Sequence, residues 1–315
     1  MLRRNALILG SLAATALVTG CGGSDDPPAT TTSSKDIVEL AQATSDLSIL
    51  VEAVVAAGLV DTLKGAGPFT VFAPNNAAFA SLLTDLGLTK AQLLADTKLL
   101  KEVLTYHVLP AKVEKAQIVP GKPITTLQGG IFKVEAPGGV LTINDGRNRT
   151  SRILTTDIQA KNGVVHIIDK VILPADKNIV QTAQGRPDFS VLVEAVIAAN
   201  LQGTLSGPGP FTVFAPTNAA FTALLAELGI TKAALLANTL LLDKVLKYHV
   251  VPGRVLKVDV PVNTPITTVQ GETLSVSAGF VITDQRARTS NIILTDVLTS
   301  NGVIHAIDKV ILPKP

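Results

Sequence analysis

The chain contains no tryptophan, and its only cysteine, Cys21, lies close to the N-terminus. Without tryptophan there is no indole on which a sugar ring or a base could stack. With a single cysteine the chain cannot form an internal disulfide, so its folded part depends on packing alone. Lysine and arginine number 27 and aspartate and glutamate 25, which gives a formal net charge of +2. A balance this small does not predict nucleic acid as a partner.

Motifs of common enzyme classes are also missing from the sequence. It has no HExxH motif, no cysteine spacing typical of a metal site and no GxSxG nucleophile turn. Serine, aspartate and histidine all occur, but no spacing places one of them against another for catalysis. The sequence therefore predicts neither an enzyme nor a bound metal or cofactor.

The N-terminus has the layout of an export signal. Arg3 and Arg4 precede an apolar run over residues 6–18, which is shorter than the roughly 20 residues of a membrane-spanning helix. Residues 18–21 (VTGC) resemble the bacterial lipobox, whose cysteine is acylated and becomes the first residue of the mature protein. We therefore expect residues 1–21 to be a lipoprotein signal. The alternative is an unmodified thiol at Cys21 after an ordinary signal peptide.

Residues 22–36 are rich in Gly, Ser, Thr, Pro and Asp and show no apolar periodicity. Such a segment buries too little apolar surface to order itself and predicts a flexible tether. Together with acyl chains on Cys21, it would hold the folded part beside a membrane that the protein contacts only through its lipid anchor. The expected location is exported and membrane-anchored, facing the periplasm or the cell surface.

The rest of the chain is an internal duplication. Residues 69–79 (FTVFAPNNAAF) recur as residues 211–221 with one substitution, and Tyr106-His107 recurs at the same offset as Tyr248-His249. Residues 162–174 recur as 301–313, but here the offset is three residues shorter. The alignment puts this deletion near residues 135–139, where Pro and Gly indicate a turn that tolerates a change of length.

Each copy is long enough to bury a core of its own. We therefore expect two domains, residues 37–174 and 179–313. Only a few residues join them, which favours a preferred relative orientation over a loose linkage.

Periodicity gives the coarse structure of one copy. Leu47, Leu50, Val51, Val54 and Val55 have helical spacing and predict one buried stripe. Asp46 or Ser48 is a candidate cap for the start of this helix. Gly58 aligns with Asn200, and these two residue types readily adopt the left-handed conformation that ends a helix.

The next predicted element is strand 69–73. A helix follows it, capped by Asn75 or, in the second copy, by Thr217. A capping box at Thr89 and Gln92 then begins another helix. Short β-rich runs then lead to a last strand, 163–173. Helices early and strands late predict an α+β domain.

In order and spacing, the three repeated blocks closely resemble the fasciclin (FAS1) domain, twice over. The resemblance covers nearly everything from residue 37 to residue 313. It implies two tandem domains, each a wedge of β-strands packed with several helices. It also implies extracellular roles in adhesion, with a protein or polysaccharide of the matrix or cell envelope as partner.

All four histidines of the chain lie inside the repeated blocks. The Tyr-His pairs Tyr106-His107 and Tyr248-His249 match a position linked to adhesion in animal members of the family, which makes them a candidate binding surface. The alternative is that the histidines are partly buried residues that link two segments by hydrogen bonds. The same alternative applies to the last block, with its structural motif at Asn162, His166, Asn301 and His305.

Asp157-Ile158 and Asp296-Val297 match a second position that the family links to adhesion, although Val297 departs from the usual residue. The alternative is a turn aspartate that precedes a core residue. Five arginines place positive charge on a predicted hairpin turn, which is a solvated loop or a weak site for anionic polysaccharide: Arg147, Arg149, Arg152, Arg286 and Arg288.

The sequence leaves more than one function open. Non-catalytic adhesion or matrix binding through the tandem domains is the leading hypothesis, since linked copies increase avidity. The alternative is that a cleft binds an apolar small molecule such as a carotenoid or lipid, as some microbial members of the family do. A hydrolase that uses the histidines is the third and weakest reading.

Overall fold

The computed structural model describes residues 33–315. The predicted signal, Cys21 and residues 22–32 of the predicted tether lie outside the described residues, whereas Asp36, at the end of that tether, caps the first helix. Over residues 33–315, no helix is both long and apolar enough to cross a membrane. We refer to residues 37–174 and 179–313 as the first and second domain.

The described part of the first domain contains six helices and seven strands. The helices are α1 (Ile37–Gln42), α2 (Ser48–Ala56), α3 (Val60–Lys64), α4 (Asn76–Leu86), α5 (Lys90–Ala95) and α6 (Thr97–Tyr106). The strands are β1 (Phe69–Pro74), β2 (Val108–Leu109), β3 (Pro123–Thr125), β4 (Ile131–Glu135), β5 (Thr142–Asn144), β6 (Thr150–Ala160) and β7 (Gly163–Ile168).

The second domain repeats this order. Its helices are α7 (Ile179–Gln184), α8 (Ser190–Ala198), α9 (Gln202–Leu205), α10 (Asn218–Leu228), α11 (Lys232–Ala237) and α12 (Thr239–Tyr248). Its strands are β8 (Phe211–Pro216), β9 (Val250–Pro252), β10 (Pro265–Thr267), β11 (Thr273–Val276), β12 (Val281–Thr283), β13 (Thr289–Thr299) and β14 (Gly302–Ile307). The predicted pair of α+β domains is confirmed.

Each domain is organised around one seven-stranded sheet. The order is β2-β1-β7-β6-β5-β4-β3 in the first domain, and the second has the equivalent order. The pairs β1/β7 and β8/β14 are parallel and the others antiparallel. Strands β1 and β7, which contain the two longest repeated blocks of the sequence, therefore lie side by side, and both are largely buried.

Two apolar layers cover the first sheet. On one side, the helices bury Leu50, Phe79 and Leu104 against Val71 of strand β1. On the other, the sheet curls so that Phe72 of β1 meets Phe132 of β4 edge to face, with ring centroids 5.1 Å apart. This curling gives the sheet its barrel-like form.

Helix ends follow the predicted signals. Asn75 and Thr217 cap α4 and α10 through their side-chain oxygens, and the capping box of Thr89 with Gln92 is formed. Gly58 and Asn200 both have positive φ, at 66° and 55°. The predicted helix end is confirmed, and it rests on a backbone conformation that either residue supplies.

Two details of helix α2 were predicted wrongly. Val55 is 58% exposed, so the buried stripe is narrower than its spacing indicates. Neither Asp46 nor Ser48 caps the helix. Instead, Asn76 reaches across from α4 and accepts a hydrogen bond from the backbone N–H of Ile49 at 3.0 Å.

The last predicted strand, 163–173, ends at Ile168. Asp169 N still donates to Arg152 O of β6, but after it backbone N–H groups donate to side chains. Ile172 N donates to Nε2 of His107 at 3.0 Å, and Leu173 N donates to Oδ2 of Asp145 at 2.9 Å. The segment is as buried as a strand, which is why its apolar pattern resembles one.

The difference in length between the copies lies where the sequence predicted it. In the first domain, β4 and β5 are joined by residues 136–141, which include a short 3-10 turn at Pro137–Gly139. In the second, the shorter connection 277–280 joins β11 to β12. The deletion therefore shortens the connecting turn. It also leaves β11 one residue shorter than β4, so that β11 and β12 share two paired positions where β4 and β5 share three.

Candidate binding surface

The two Tyr-His pairs lie in the interior, which corrects the expectation that their side chains form an exposed surface. Tyr106 and Tyr248 are 0% exposed, at the ends of α6 and α12. Each phenol donates a hydrogen bond to a backbone oxygen across the sheet, Ile131 O at 2.6 Å and Thr273 O at 2.8 Å. Burial raises the pKa of both phenols. These buried side chains therefore contribute to the packing of each domain and not to its surface.

His107 and His249 connect a helix end to the C-terminal segment of each domain. Nδ1 of His107 lies 2.8 Å from Val103 O, and Nε2 accepts from Ile172 N. An acceptor at Nε2 requires the proton on Nδ1, so the ring is neutral and bonded on both sides. Burial lowers the pKa of both imidazoles to about 4. His249 makes the equivalent contacts in the second domain.

His166 and His305 hold a β-bulge. Nδ1 of His166 accepts from Asp157 N at 3.2 Å, and Nε2 lies 2.9 Å from Val113 O. Because Nδ1 is the acceptor, the proton is on Nε2, and burial lowers the pKa of this ring. His305 holds Asp296 in the same way.

Asn162 and Asn301 connect the turn before the last strand to the first helix of each domain. Oδ1 of Asn162 accepts from Ile37 N at 3.0 Å, while Nδ2 donates to Leu63 O and Gly65 O. Asn301 repeats this set in the second domain. In both domains, these side-chain hydrogen bonds of the asparagine are to backbone groups. This fits the structural role that the sequence indicated for the motif.

The Asp-Ile and Asp-Val positions lie on the two bulges but in different surroundings. Asp157 and Asp296 both have positive φ, at 60° and 59°, where their strands shift register. Asp157 and Ile158 are partly exposed. Asp296 and Val297 are only 3% and 4% exposed. We call the region around the first bulge, formed by Glu114, Asp157, Ile158 and Gln159, the free bulge face.

The second bulge is covered by the first domain. Nζ of Lys133 lies 2.9 Å from Oδ2 of Asp296, and both side chains are buried. Burial alone lowers the pKa of Lys133, but its hydrogen bonds to Glu135 and Asp296 raise it above the ordinary value. The two charges therefore stabilise each other across the domain boundary.

A second polar contact and an apolar cluster complete the boundary. Asn148 donates through Nδ2 to Leu298 O at 3.0 Å and accepts from Leu298 N at 2.7 Å. Leu256, Leu298 and Val303 pack together with Ile131 of the first domain against them. The reciprocal hydrogen bonds of Asn148 and the buried ion pair fix one orientation of the two domains relative to each other.

The residues of this boundary differ between the two copies. Leu256 and Leu298 align with Glu114 and Gln159, which are polar and belong to the free bulge face. On the other side of the contact, Ile131, Lys133 and Asn148 align with Thr273, Ser275 and Ala287. Five contact residues are therefore replaced in the other copy, and the free bulge face is more polar than its buried counterpart. Asp296 and Val303 instead keep their residue type, as Asp157 and Val164.

The boundary residues were missed by sequence reasoning about single motifs. Lys133, Asn148 and Leu256 belong to none of the repeated blocks. A comparison of the copies position by position contains the signal, since a leucine aligns with a glutamate at a surface position of the same fold. Such a difference indicates that one copy is covered there and the other is not.

The predicted arginine-rich turn is largely engaged with its own chain. Arg149 binds the buried Asp145 at 3.0 Å and donates to Val171 O. Arg288 pairs with Glu227 at 2.8 Å. Both guanidinium groups therefore contribute to the fold. Arg147 and Arg286 also donate to backbone oxygens near the end of their domains, whereas Arg152 is exposed.

Similar proteins share the two repeated domains. The Fasciclin domain family matches residues 45–174 and 187–313. Transforming growth factor-beta-induced protein ig-h3 of Sus scrofa is 32% identical over 256 residues, 80% of this chain and 35% of that protein. Human periostin is 28% identical over 287 residues, 89% of this chain and 31% of periostin. This chain thus spans about a third of the length of these two relatives.

A bacterial relative and a solved structure complete the comparison. Protein sll1483 of Synechocystis is 42% identical over 147 residues, 46% of this chain and 77% of that protein. A FAS1 domain pair from the insect cell adhesion molecule Fasciclin I superposes over 85% of this chain and 97% of its own, with 19% identity and a TM-score of 0.44. Because the family matches both copies over most of their length, the chain belongs to the fasciclin family, with two tandem FAS1 domains.

Proposed function

We propose that this protein is a non-catalytic adhesion protein that binds an extracellular or envelope protein or polysaccharide through the free bulge face of its first domain. Membership of the fasciclin family supports adhesion as the general role. The lipobox-like sequence before Cys21 supports attachment to a membrane by acyl chains. One observation carries the choice of face: the equivalent position in the second domain is buried against the first.

The character of this face fits a polar partner. Oδ1 of Asp157 accepts from Lys115 N at 2.8 Å, so the carboxylate is held in place although the residue is partly exposed. Lys112 and Glu114 form an ion pair at 2.9 Å, with 43% and 42% of their side chains exposed. Gln159 lies beside them and donates towards Glu114. A rigid surface of mixed charge suits hydrogen bonding to a protein or a polysaccharide.

Binding through the first bulge alone affects the expected gain in avidity. Two linked copies predict two equal binding sites, but one of the two bulges is covered. Any gain from bivalency therefore requires a second site elsewhere or a second molecule on the same membrane.

The test uses a charge substitution on the free face. Gln159→Lys should reduce binding of the acyl-free chain to immobilised extracellular polymer from the source culture about tenfold, as loss of a central contact does. Gln202→Lys, the same change on the exposed start of α9, is the matched control. Equal binding by both variants, with unchanged folding, would falsify the choice of face.

The apolar-ligand alternative has less support. The apolar cavities beneath the helices measure about 30 Å³ in each domain, and a further one in the second domain measures about 100 Å³. Small-molecule sites usually measure about 300–1,000 Å³. A carotenoid would require these layers to separate, and an absorption spectrum of protein purified from its natural source tests this directly.

A further inference from the structure

A polar cavity of about 320 Å³ lies between the two domains, beside the boundary contact. Its volume reaches the lower end of the range of small-molecule sites, about 300–1,000 Å³. Both domains are needed to form it. The wall includes Gly129 and Gly146 of the first domain, Ala175 of the connection between the domains, and Arg254, Thr299 and Ser300 of the second domain.

Arg254 contributes a guanidinium group that the protein leaves without a partner. Within residues 33–315, Nε of Arg254 is buried and has no hydrogen-bond partner, and its guanidinium forms no ion pair. Burial lowers its pKa, yet an arginine side chain stays charged in proteins. Because this guanidinium has no ion-pair partner in the described residues, its charge remains available to an anion in the cavity.

The rest of the lining carries no opposing charge. The residues that line the cavity include no aspartate or glutamate. The positive charge of Arg254 therefore borders a space that contains no negative charge from its own wall, which favours an anion.

The unpaired arginine is specific to the copy that lines the cavity. In the first domain, Lys112 occupies the position equivalent to Arg254, and it is paired with Glu114 at 2.9 Å. Within residues 33–315, the first copy thus pairs the charge at this position, while the second copy does not.

We propose that this cavity binds a small polar molecule through an oxyanion group, that is, a carboxylate, sulfate or phosphate. The planar guanidinium of Arg254 matches two oxygens of such a group at once. This site is separate from the free bulge face, so the outcome of its test does not depend on whether the proposed adhesion is correct.

The test measures binding of three probes to the acyl-free chain: sodium glucuronate, sulfate and phosphate. Calorimetry at constant ionic strength, balanced with chloride, separates specific binding from screening. We expect at least one probe to bind, and Arg254→Gln to weaken it at least tenfold. The matched control Arg152→Gln removes the same charge from an exposed side chain and should bind like the original chain. The preferred probe identifies the type of oxyanion.

A further variant keeps the test decisive. Arg254→Lys, which keeps the charge but not the planar fork, should bind less tightly than the original chain. Because Arg254 has no protein partner, its replacement by Gln should leave the unfolding temperature unchanged or raised. Absence of binding by all three probes, or equal binding by Arg254→Gln or Arg254→Lys, contradicts the proposal.

Discussion

Histidines of two kinds stabilise each domain from within. His107 keeps its proton on Nδ1 and accepts a backbone N–H at Nε2, whereas His166 has the opposite arrangement. In both cases the two ring nitrogens are used by backbone groups far apart in the chain. The residue types that suggested chemistry in the sequence thus serve as neutral hydrogen-bonding links, and a reacting group would find neither nitrogen available.

Removal of one such link should destabilise its domain. His107→Ala leaves Ile172 N and Val103 O without partners and opens a cavity, and we expect a loss of about 2–4 kcal/mol. Urea unfolding measures the change, with His249→Ala as the equivalent variant of the second domain. Lys122→Ala, on an exposed turn, is the control and should change little. An unaltered midpoint for both histidine variants would show that these bonds contribute nothing.

The same histidines predict a dependence of stability on pH. Burial lowers the pKa of His107 and His249 to about 4, below the value of about 6.5 in an unfolded chain. Between these values the unfolded state binds more protons, so stability falls as the pH decreases from 6.5 to 4. Each ring contributes on the order of 3 kcal/mol to this fall. Urea titrations at several pH values check it, and His107→Ala should have the shallower dependence.

At the level of elements, helix and turn signals predicted more than strand patterns did. Gly58 and Asn200 located a helix end because each copy meets one backbone requirement with a different residue. The last strand was predicted too long because residues 171–173 are buried like a strand but bonded to side chains. Apolar periodicity reports burial and cannot reveal which partner a backbone N–H has.

The helix end gives a prediction that involves backbone conformation alone. An added Cβ at Gly58 would meet no atom within 4 Å, so only its φ of +66° opposes a side chain. Gly58→Ala should therefore cost about 1–2 kcal/mol. Gly58→Asn, which copies the residue of the second domain, should cost clearly less. Thermal unfolding of the two variants compares them, and equal losses would mean that φ is not the cause.

At the level of the whole molecule, the duplication is symmetric in fold and asymmetric in surface. The repeated blocks predicted both FAS1 domains because they form the central strands and the buried links of each copy. The domain boundary was not predictable from those blocks, since Lys133, Asn148 and Leu298 lie outside the parts that the copies share. The contacts between the two domains are made largely by residues that differ between the copies. A search for repeated sequence therefore does not find them.

The buried ion pair across the domain boundary should contribute more to the free energy of unfolding than an exposed ion pair would. Lys133→Met leaves Asp296 buried without its partner, which typically costs about 3–5 kcal/mol. Adding Asp296→Asn to this variant should recover part of the loss, because the asparagine still accepts from Lys257 N but carries no charge. Urea unfolding measures both, with Lys122→Met as control. Additive losses in the double variant would show that the two residues do not interact.

The central claim is that the first bulge is open to partners while the second is closed by the other domain. Single cysteines at equivalent positions, Gln159→Cys and Leu298→Cys in a Cys21→Ser chain, report this through labelling with a bulky maleimide. We predict labelling at position 298 at least about 100-fold slower than at 159, because it requires the domains to open. Both should label equally fast in urea. Equal rates in the native protein would contradict the account.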